Sequence, residues 1–200
     1  MKIRIIVPIL FAARLAFAQG TVIFDQQSSD ESRVLEGSIG YPGQAPSQSF
    51  TPSFTSMDFV RLWIIQGGPG QSLAVNLRAD SPTGTILGTS AATTVTGTSS
   101  YTGALTFLFP NQVALVPGNT YYIQPVAVVG LGFVLNQSAY FYSGGSMFSG
   151  SVPDPSGRDL WFREGIVVPE PATASLILFG GSIFLWKRKK HWRSVSQVSQ

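Results

Sequence analysis

The chain has no cysteine and only one histidine, His191, in 200 residues. Without cysteine there are no disulfides, cysteine nucleophiles, thiolate zinc sites or iron–sulfur clusters. A single histidine near the end of the sequence excludes a Ser-His-Asp triad in the body and a multi-histidine metal site. Charged residues make up only 12%, about half the usual share. We therefore predict a protein that is not an enzyme and that has no cofactor and no metal.

The positive net charge lies at the two ends of the chain. The formal charge is +3, yet residues 19–168 contain five arginines, no lysine and nine acidic residues, a net charge of −4. A mildly acidic body does not attract a polyanion. The composition therefore predicts no nucleic-acid partner.

Glycine (21) and proline (13) are frequent, and residues 19–166 show no sustained helical period, which favours strands. The nearly continuous apolar run 57–66 predicts a strand covered on both faces, and Gly67–Gly70 predicts a turn. Residues 72–80 alternate between apolar and polar and predict a half-buried strand. Residues 120–129 predict another strand, in which Pro125 requires an edge or a bulge.

Further short strands are predicted at 138–143 and 159–163, with a loop at 144–157 and a polar edge strand or loop at 88–100. The predicted inward-facing residues are Leu73, Val75, Leu77, Leu105, Phe107 and Phe109. About nine or ten strands at this spacing predict an all-β fold, a single β-sandwich over residues 19–166. The stretch from Gln48 to Ile123 resembles the jelly-roll domains of bacterial surface proteins, with which it shares the turn-then-aromatic sequence of residues 116–122.

The N-terminus has the pattern of a signal peptide over residues 1–18. Lys2 and Arg4 precede an apolar stretch, and Ala16-Phe17-Ala18 fits the small-x-small rule for cleavage before Gln19. We expect a signal helix here, signal peptidase as a processing partner, and export of the body. A first buried strand or helix is the alternative reading of the same apolar run.

The C-terminus combines three features in a fixed order. The triplet Pro169-Glu170-Pro171 precedes an uncharged segment at 172–186, and the basic cluster is Lys187, Arg188, Lys189 and Lys190. The segment is short for a bilayer, but flanking basic side chains extend to the interface and mark the cytoplasmic side. We predict a transmembrane helix at about 172–186, with the body outside, and a polar tail at 194–200.

This ordered trio, over residues 167–193, resembles the PEP-CTERM sorting signal of Gram-negative bacteria. The resemblance implies that Pro169, Glu170 and Pro171 are recognised by a membrane-embedded exosortase, which removes the tail. It also implies passage through the inner membrane as a transient intermediate, and then release to the cell surface or an extracellular polymer matrix. The polar extension from His191 to Gln200 departs from such signals, which usually stop soon after the basic cluster.

The body offers candidates for ligand binding but no catalytic motif. Aromatic side chains can stack on sugar rings; the candidates are Tyr41, Trp63, Tyr140, Tyr142 and Trp161. The two tryptophans are more simply interpreted as core, whereas Tyr41 beside Pro42-Gly43 is the better surface candidate for a glycan contact. The acidic residues Asp25, Asp30, Glu31, Asp154 and Asp159 could in principle bind calcium or form a glycosidase pair. Solvated loop carboxylates are the simpler interpretation.

The sequence thus predicts a non-enzymatic exported protein with a structural or adhesive role at the cell surface or in the matrix. One alternative is a carbohydrate-binding module that contacts extracellular polysaccharide. The other is a permanently anchored envelope protein.

Overall fold

The structure is a computed structural model that describes residues 20–40, 46–96, 101–130 and 133–169. Within these ranges the chain is all-β, in two antiparallel sheets and without a helix. Val22–Val168 forms one compact unit. In the described part of the chain, no helix has the length and apolar character needed to cross a membrane. The predicted signal helix and the predicted span at 172–186 lie outside the described residues.

Fourteen strands occur in the described ranges. They are β1 (Thr21–Gln27), β2 (Ser38–Gly40), β3 (Pro46–Phe50), β4 (Ser56–Gly67), β5 (Ser72–Ala79), β6 (Ile86–Thr89), β7 (Thr93–Thr94), β8 (Tyr101–Ala114), β9 (Tyr121–Val129), β10 (Val134–Ser138), β11 (Met147–Ser149), β12 (Val152–Pro153), β13 (Asp159–Leu160) and β14 (Phe162–Val168).

The first sheet is organised around β4. Strand β8 pairs with β4 along nearly the whole length of β4, from Ser56 to Gly67. On its other side, β4 pairs with β14 through residues 59–62 and with β10 through Ile64 and Gln66. Strand β1 lies beside β14, and β2 and β13 both pair with β10. The second sheet has the order β12-β11-β3-β9-β5-β6, with β7 also on β5.

The hydrophobic core lies between the two sheets. Val60, Leu62 and Ile64 of β4 belong to the same buried cluster as Leu73, Val75 and Leu77 of β5. The ring of Phe50 in the second sheet lies 6.3 Å from that of Phe162 in the first. Period-two alternation places these residues on the facing sides of two sheets, as in a β-sandwich.

Most predicted strands and inward-facing residues are confirmed. The strands predicted at 57–66 and 72–80 are β4 and β5, and β9 begins one residue after the predicted start at Thr120. Five of the six predicted core side chains are buried, while Leu105 is only partly buried against the core. Pro125 lies in β9 beyond Ile123, where the pairing of β9 with β3 ends. Around the proline, the described pairing of β9 is with β5, where Val75 lies opposite Pro125.

Two local predictions are wrong, and a third is confirmed only in part. The strand predicted at 138–143 ends at Ser138, because the chain turns and Phe141 takes a left-handed backbone with φ 61°. The predicted loop 144–157 contains β11 and β12, a hairpin that extends the second sheet beside β3. Residues 159–163 form two strands, because the chain passes from β10 to β4 as its pairing partner at Trp161.

Strand β3 was not recognised from the sequence as a separate buried strand. Its residues Pro-Ser-Gln-Ser-Phe are all buried, although three of them are polar. The strand runs between β9 and β11, so its backbone groups have partners on both sides. The periodicity and hydropathy of the sequence therefore do not predict β3. Pairing with two neighbouring strands stabilises it, although few of its side chains are apolar.

Candidate functional site

The predicted sorting residues and the predicted glycan contact fall mostly outside the described ranges. Pro169 is described and exposed, directly after the last residue of β14. Glu170, Pro171, the basic cluster 187–190, the cleavage residues 16–19 and Tyr41 lie outside the described residues. Their assignments stay predictions.

The four aromatic candidates that the structure describes have different environments. Trp161 is completely buried, and its indole nitrogen donates to the carbonyl of Asp30 at 3.1 Å. Tyr140 is buried as well, and its hydroxyl contacts the Asn136 side chain. Tyr142 packs edge-to-face on Phe162 at 5.1 Å. Trp63 is only half-buried, so it is the candidate among the described residues that both stays accessible and lines a cavity.

Trp63 lies in an open cleft of about 480 Å³ on the outer face of the first sheet, the face turned away from the second sheet. The floor includes Trp63 and Ile65 of β4, and the wall is the segment Val34–Ser38. Thr102 of β8 closes one side, where its hydroxyl donates to the carbonyl of Ile65 at 2.6 Å. A cleft of this volume is in the range of small-molecule sites.

The wall of the cleft is fixed by hydrogen bonds to β10. The Asn136 amide donates to the carbonyls of Leu35 at 2.8 Å and Gly37 at 3.1 Å. The Ser138 hydroxyl donates to the carbonyl of Glu36 at 3.1 Å. A Cβ atom at Gly37 would overlap the Gln137 carbonyl oxygen, so glycine is required for this close approach. The segment is therefore held as a preformed wall beside Trp63.

The orientation of Trp63 is set from the side by Trp161, which lies next to it where β14 pairs with β4. The two rings meet edge-to-face, with centroids 5.4 Å apart and planes at 66°. Because Trp161 is buried and hydrogen-bonded, it holds the Trp63 indole in one position. Sequence analysis named Trp63 but missed the other lining residues, because Glu36, Ser38 and Thr102 have no motif and meet only through the pairing of β2, β10, β4 and β8.

A second polar cluster is buried between the sheets and includes one of the predicted calcium candidates. The Gln48 amide nitrogen donates to Asp159 Oδ1 at 3.0 Å, and the backbone nitrogen of Tyr142 donates to Asp159 Oδ2 at 3.0 Å. Burial raises the pKa of Asp159. Asp154 instead accepts from Arg158 at 2.6 Å, and this hydrogen bond lowers the pKa of Asp154. Each of the two carboxylates thus already accepts hydrogen bonds from groups of the protein itself.

The remaining acidic candidates serve the N-terminal segment. Asp25 of β1 accepts from the backbone nitrogens of Ser53 at 2.8 Å and Phe54 at 2.9 Å. Asp30 accepts from the Ser32 backbone nitrogen at 2.9 Å, and Glu31 forms ion pairs with Arg61 and Arg163. In the described part of the chain, no three acidic or histidine side chains converge as a metal site would require.

Glu164 is a buried carboxyl that sequence analysis did not single out. Its side chain is fully buried, and its Oε1 accepts from the backbone nitrogen of Gln26 at 3.0 Å, while Oε2 has no hydrogen-bond partner among the described residues. Burial, with a smaller contribution from Asp25, raises the pKa of Glu164 to about 8. A carboxyl without access to a substrate cannot serve as half of a glycosidase pair. We expect Glu164 instead to affect the stability of the contact between β1 and β14.

No protein-family model matches the chain, and comparison with curated proteins finds no match either.

Proposed function

We propose that this protein is an exported, non-enzymatic β-sandwich whose C-terminus is a sorting signal processed by an exosortase. The observation that carries the proposal is the order of Pro169-Glu170-Pro171, an uncharged segment and a basic cluster, behind a signal-like N-terminus. One feature of the fold supports it. Strand β14 ends at Val168 and Pro169 is exposed, so the triplet begins outside the packed body.

The chemistry of the triplet suits such a role. Prolines fix φ and remove backbone donors, which keeps a segment extended rather than helical. The carboxylate of Glu170 precedes the predicted helix start, where negative charge is favourable. An extended, charged handle at the outer membrane face is accessible to a membrane-embedded protease.

A jelly-roll-like connection of the strands is part of the same proposal. The chain crosses repeatedly between the sheets: β3 lies in the second, β4 in the first, β5 in the second and β8 in the first again. Such alternation is typical of double-sheet Greek-key folds. It gives a rigid body suited to a structural or adhesive role at a cell surface or in a polymer matrix.

The experiment is to replace Pro169-Glu170-Pro171 with three alanines and to fractionate the producing cells. We expect normal folding, because the last strand ends at Val168 and Pro169 is exposed, and retention of the full-length chain in the inner membrane. The matched control Thr173→Ala/Ser175→Ala changes neighbouring polar residues and should be released like the wild type. Normal release of the triplet variant would contradict the proposal. Retention of the wild type at full length would favour the permanently anchored alternative.

A further inference from the structure

The cleft over Trp63 combines three properties that small-molecule sites share. Its volume is about 480 Å³ although it is widely open to solvent, its lining is mainly apolar, and its wall is fixed before any ligand arrives. A preformed site binds more tightly than a flexible one, because less ordering entropy is lost on binding.

The charge of the lining restricts the ligand. Among the residues that the structure describes, Glu36 is the single charged residue that lines the cleft, and none of the described arginines lines it. A phosphate, a sulfate or a uronic acid would find no cationic partner and would meet one carboxylate, which is unfavourable. The lining therefore disfavours anionic ligands.

The polar groups at the rim are oxygens. The side chains of Glu36 and Ser38 are exposed, and the Thr102 hydroxyl keeps acceptor capacity while it donates to Ile65. A carboxylate and hydroxyl groups are complementary to a ligand that carries several hydroxyl groups. Between these groups, the half-buried indole of Trp63 provides a rigid apolar surface fixed by Trp161.

From this combination we propose that the cleft binds a neutral pyranose ring, as one unit of an uncharged oligosaccharide. The C–H face of the ring lies against Trp63, and its hydroxyl groups donate to Glu36 and exchange hydrogen bonds with Ser38 and Thr102. Because the cleft is open to solvent, the sugar chain continues beyond it. The inference concerns the body alone and does not depend on the sorting proposal.

The test uses the full-length chain in a zwitterionic detergent, because detergents with sugar headgroups would compete. The probes are cellohexaose and maltohexaose as neutral oligosaccharides, an oligogalacturonate as the anionic counterpart, and dodecane-saturated micelles as the apolar competitor. Binding is measured by calorimetry. We expect one neutral hexaose to bind in about the millimolar to micromolar range, no binding of the oligogalacturonate, and no competition from dodecane.

Two variants locate the site. Trp63→Ala should weaken binding about tenfold or more, because it removes the stacking surface. Ser38→Leu leaves Trp63 in place but narrows the mouth of the cleft, and it should weaken binding to a similar extent. Phe148→Ala removes an aromatic ring that contacts Tyr122 in the second sheet, and it should bind like the wild type.

Four results would overturn the proposal. They are no binding of either hexaose, equal binding of the oligogalacturonate, displacement of the sugar by dodecane, and wild-type affinity in both cleft variants. If Trp63→Ala fails to fold by circular dichroism, Ser38→Leu decides alone. The sorting proposal is unaffected by any of these results, since its readout is cell fractionation.

Discussion

Strands β4 and β5 each pair with neighbouring strands on both edges, but the patterns of their sequences differ. Both turn alternate residues toward the shared core. On the other face, β4 carries large side chains, and Phe59 there is only 1% exposed because Phe24 of β1 packs on it at 5.6 Å. The corresponding face of β5 carries Ala74, Asn76 and Arg78, which are small or polar. The outer face of β4 is therefore covered by an aromatic layer, whereas that of β5 has small or polar side chains, of which Ala74 and Asn76 are also buried.

The layer over β4 is built by the N-terminal segment, residues 21–38. Arg163 of β14 lies over the Phe24 ring, 3.4 Å from its centroid, and donates to Gln27 at 2.8 Å. Asp25 binds the backbone of residues 53 and 54, and Trp161 is bonded to Asp30. A continuous apolar run such as 57–66 needs cover on both faces, and this segment provides it. The same segment leaves the Trp63 cleft open at its end.

The difference between the outer faces of the two sheets is tested most directly by replacing one phenylalanine on each face. Phe59→Ala should lower the free energy of unfolding by about 3–5 kcal/mol, as for any buried phenylalanine. Phe148→Ala, the same change on the half-buried outer face of the second sheet, should cost about 1 kcal/mol. Urea titration of both variants gives the values. Equal costs would mean that the two outer faces do not differ as described.

Because the buried carboxyl of Glu164 lies where β14 contacts β1, the free energy of unfolding should depend on pH. The pKa of Glu164 is raised from 4.5 to about 8, so the unfolded chain releases this proton at lower pH than the folded chain. Stability is therefore full below about pH 4.5 and falls as the pH rises toward 8, where the folded state also loses the proton. The raised pKa of Asp159 acts with the same sign.

The variant Glu164→Gln should remove most of this dependence. One pKa unit corresponds to about 1.4 kcal/mol. With allowance for relaxation of the folded protein, the free energy of unfolding of the wild type should fall by about 3 kcal/mol between pH 4.5 and about 8. Urea titrations at several pH values give the slope for each protein. An identical slope in wild type and variant would show that Glu164 is not its source.

The attachment of β1 should also depend on the charge of Asp25. Asp25→Asn keeps the shape but weakens two charge-assisted hydrogen bonds to the backbone of residues 53 and 54. We expect a loss of about 1–2 kcal/mol and earlier hydrogen exchange in β1. Asp80→Asn is the matched control, because Asp80 is exposed and its left-handed φ of 68° also suits asparagine. A similar loss in the control would contradict the special role of Asp25.

The smallest expected effect comes from Arg163→Lys. Lysine keeps the positive charge but loses the planar group that lies over Phe24 and reaches Gln27 and Glu31. A loss of about 0.5–1 kcal/mol is expected. High salt should change it little, because most of the loss is stacking and not exposed ion pairing. A loss that vanishes in high salt would assign the effect to the Glu31 pair instead.

Alternation and apolar runs were enough to predict the all-β class and the position of β4, β5 and β9. They also predicted that β4 would be covered on both faces. They failed at β3, where buried polar residues are stabilised by pairing on both sides, and at Phe141, whose left-handed backbone has no sequence signal. The Trp63 cleft could be predicted only in part, because its wall approaches through Gly37 and is fixed by side chains from β10, about a hundred residues away in sequence.

The central claim is that the chain is exported and loses its C-terminal tail, and intact mass spectrometry of the protein released from cells tests it most directly. We predict a mass that begins at Gln19 and ends before Lys187, so that no peptide beyond Trp186 is recovered from the released protein. A normally released protein that still carries peptides beyond Trp186 would contradict the account.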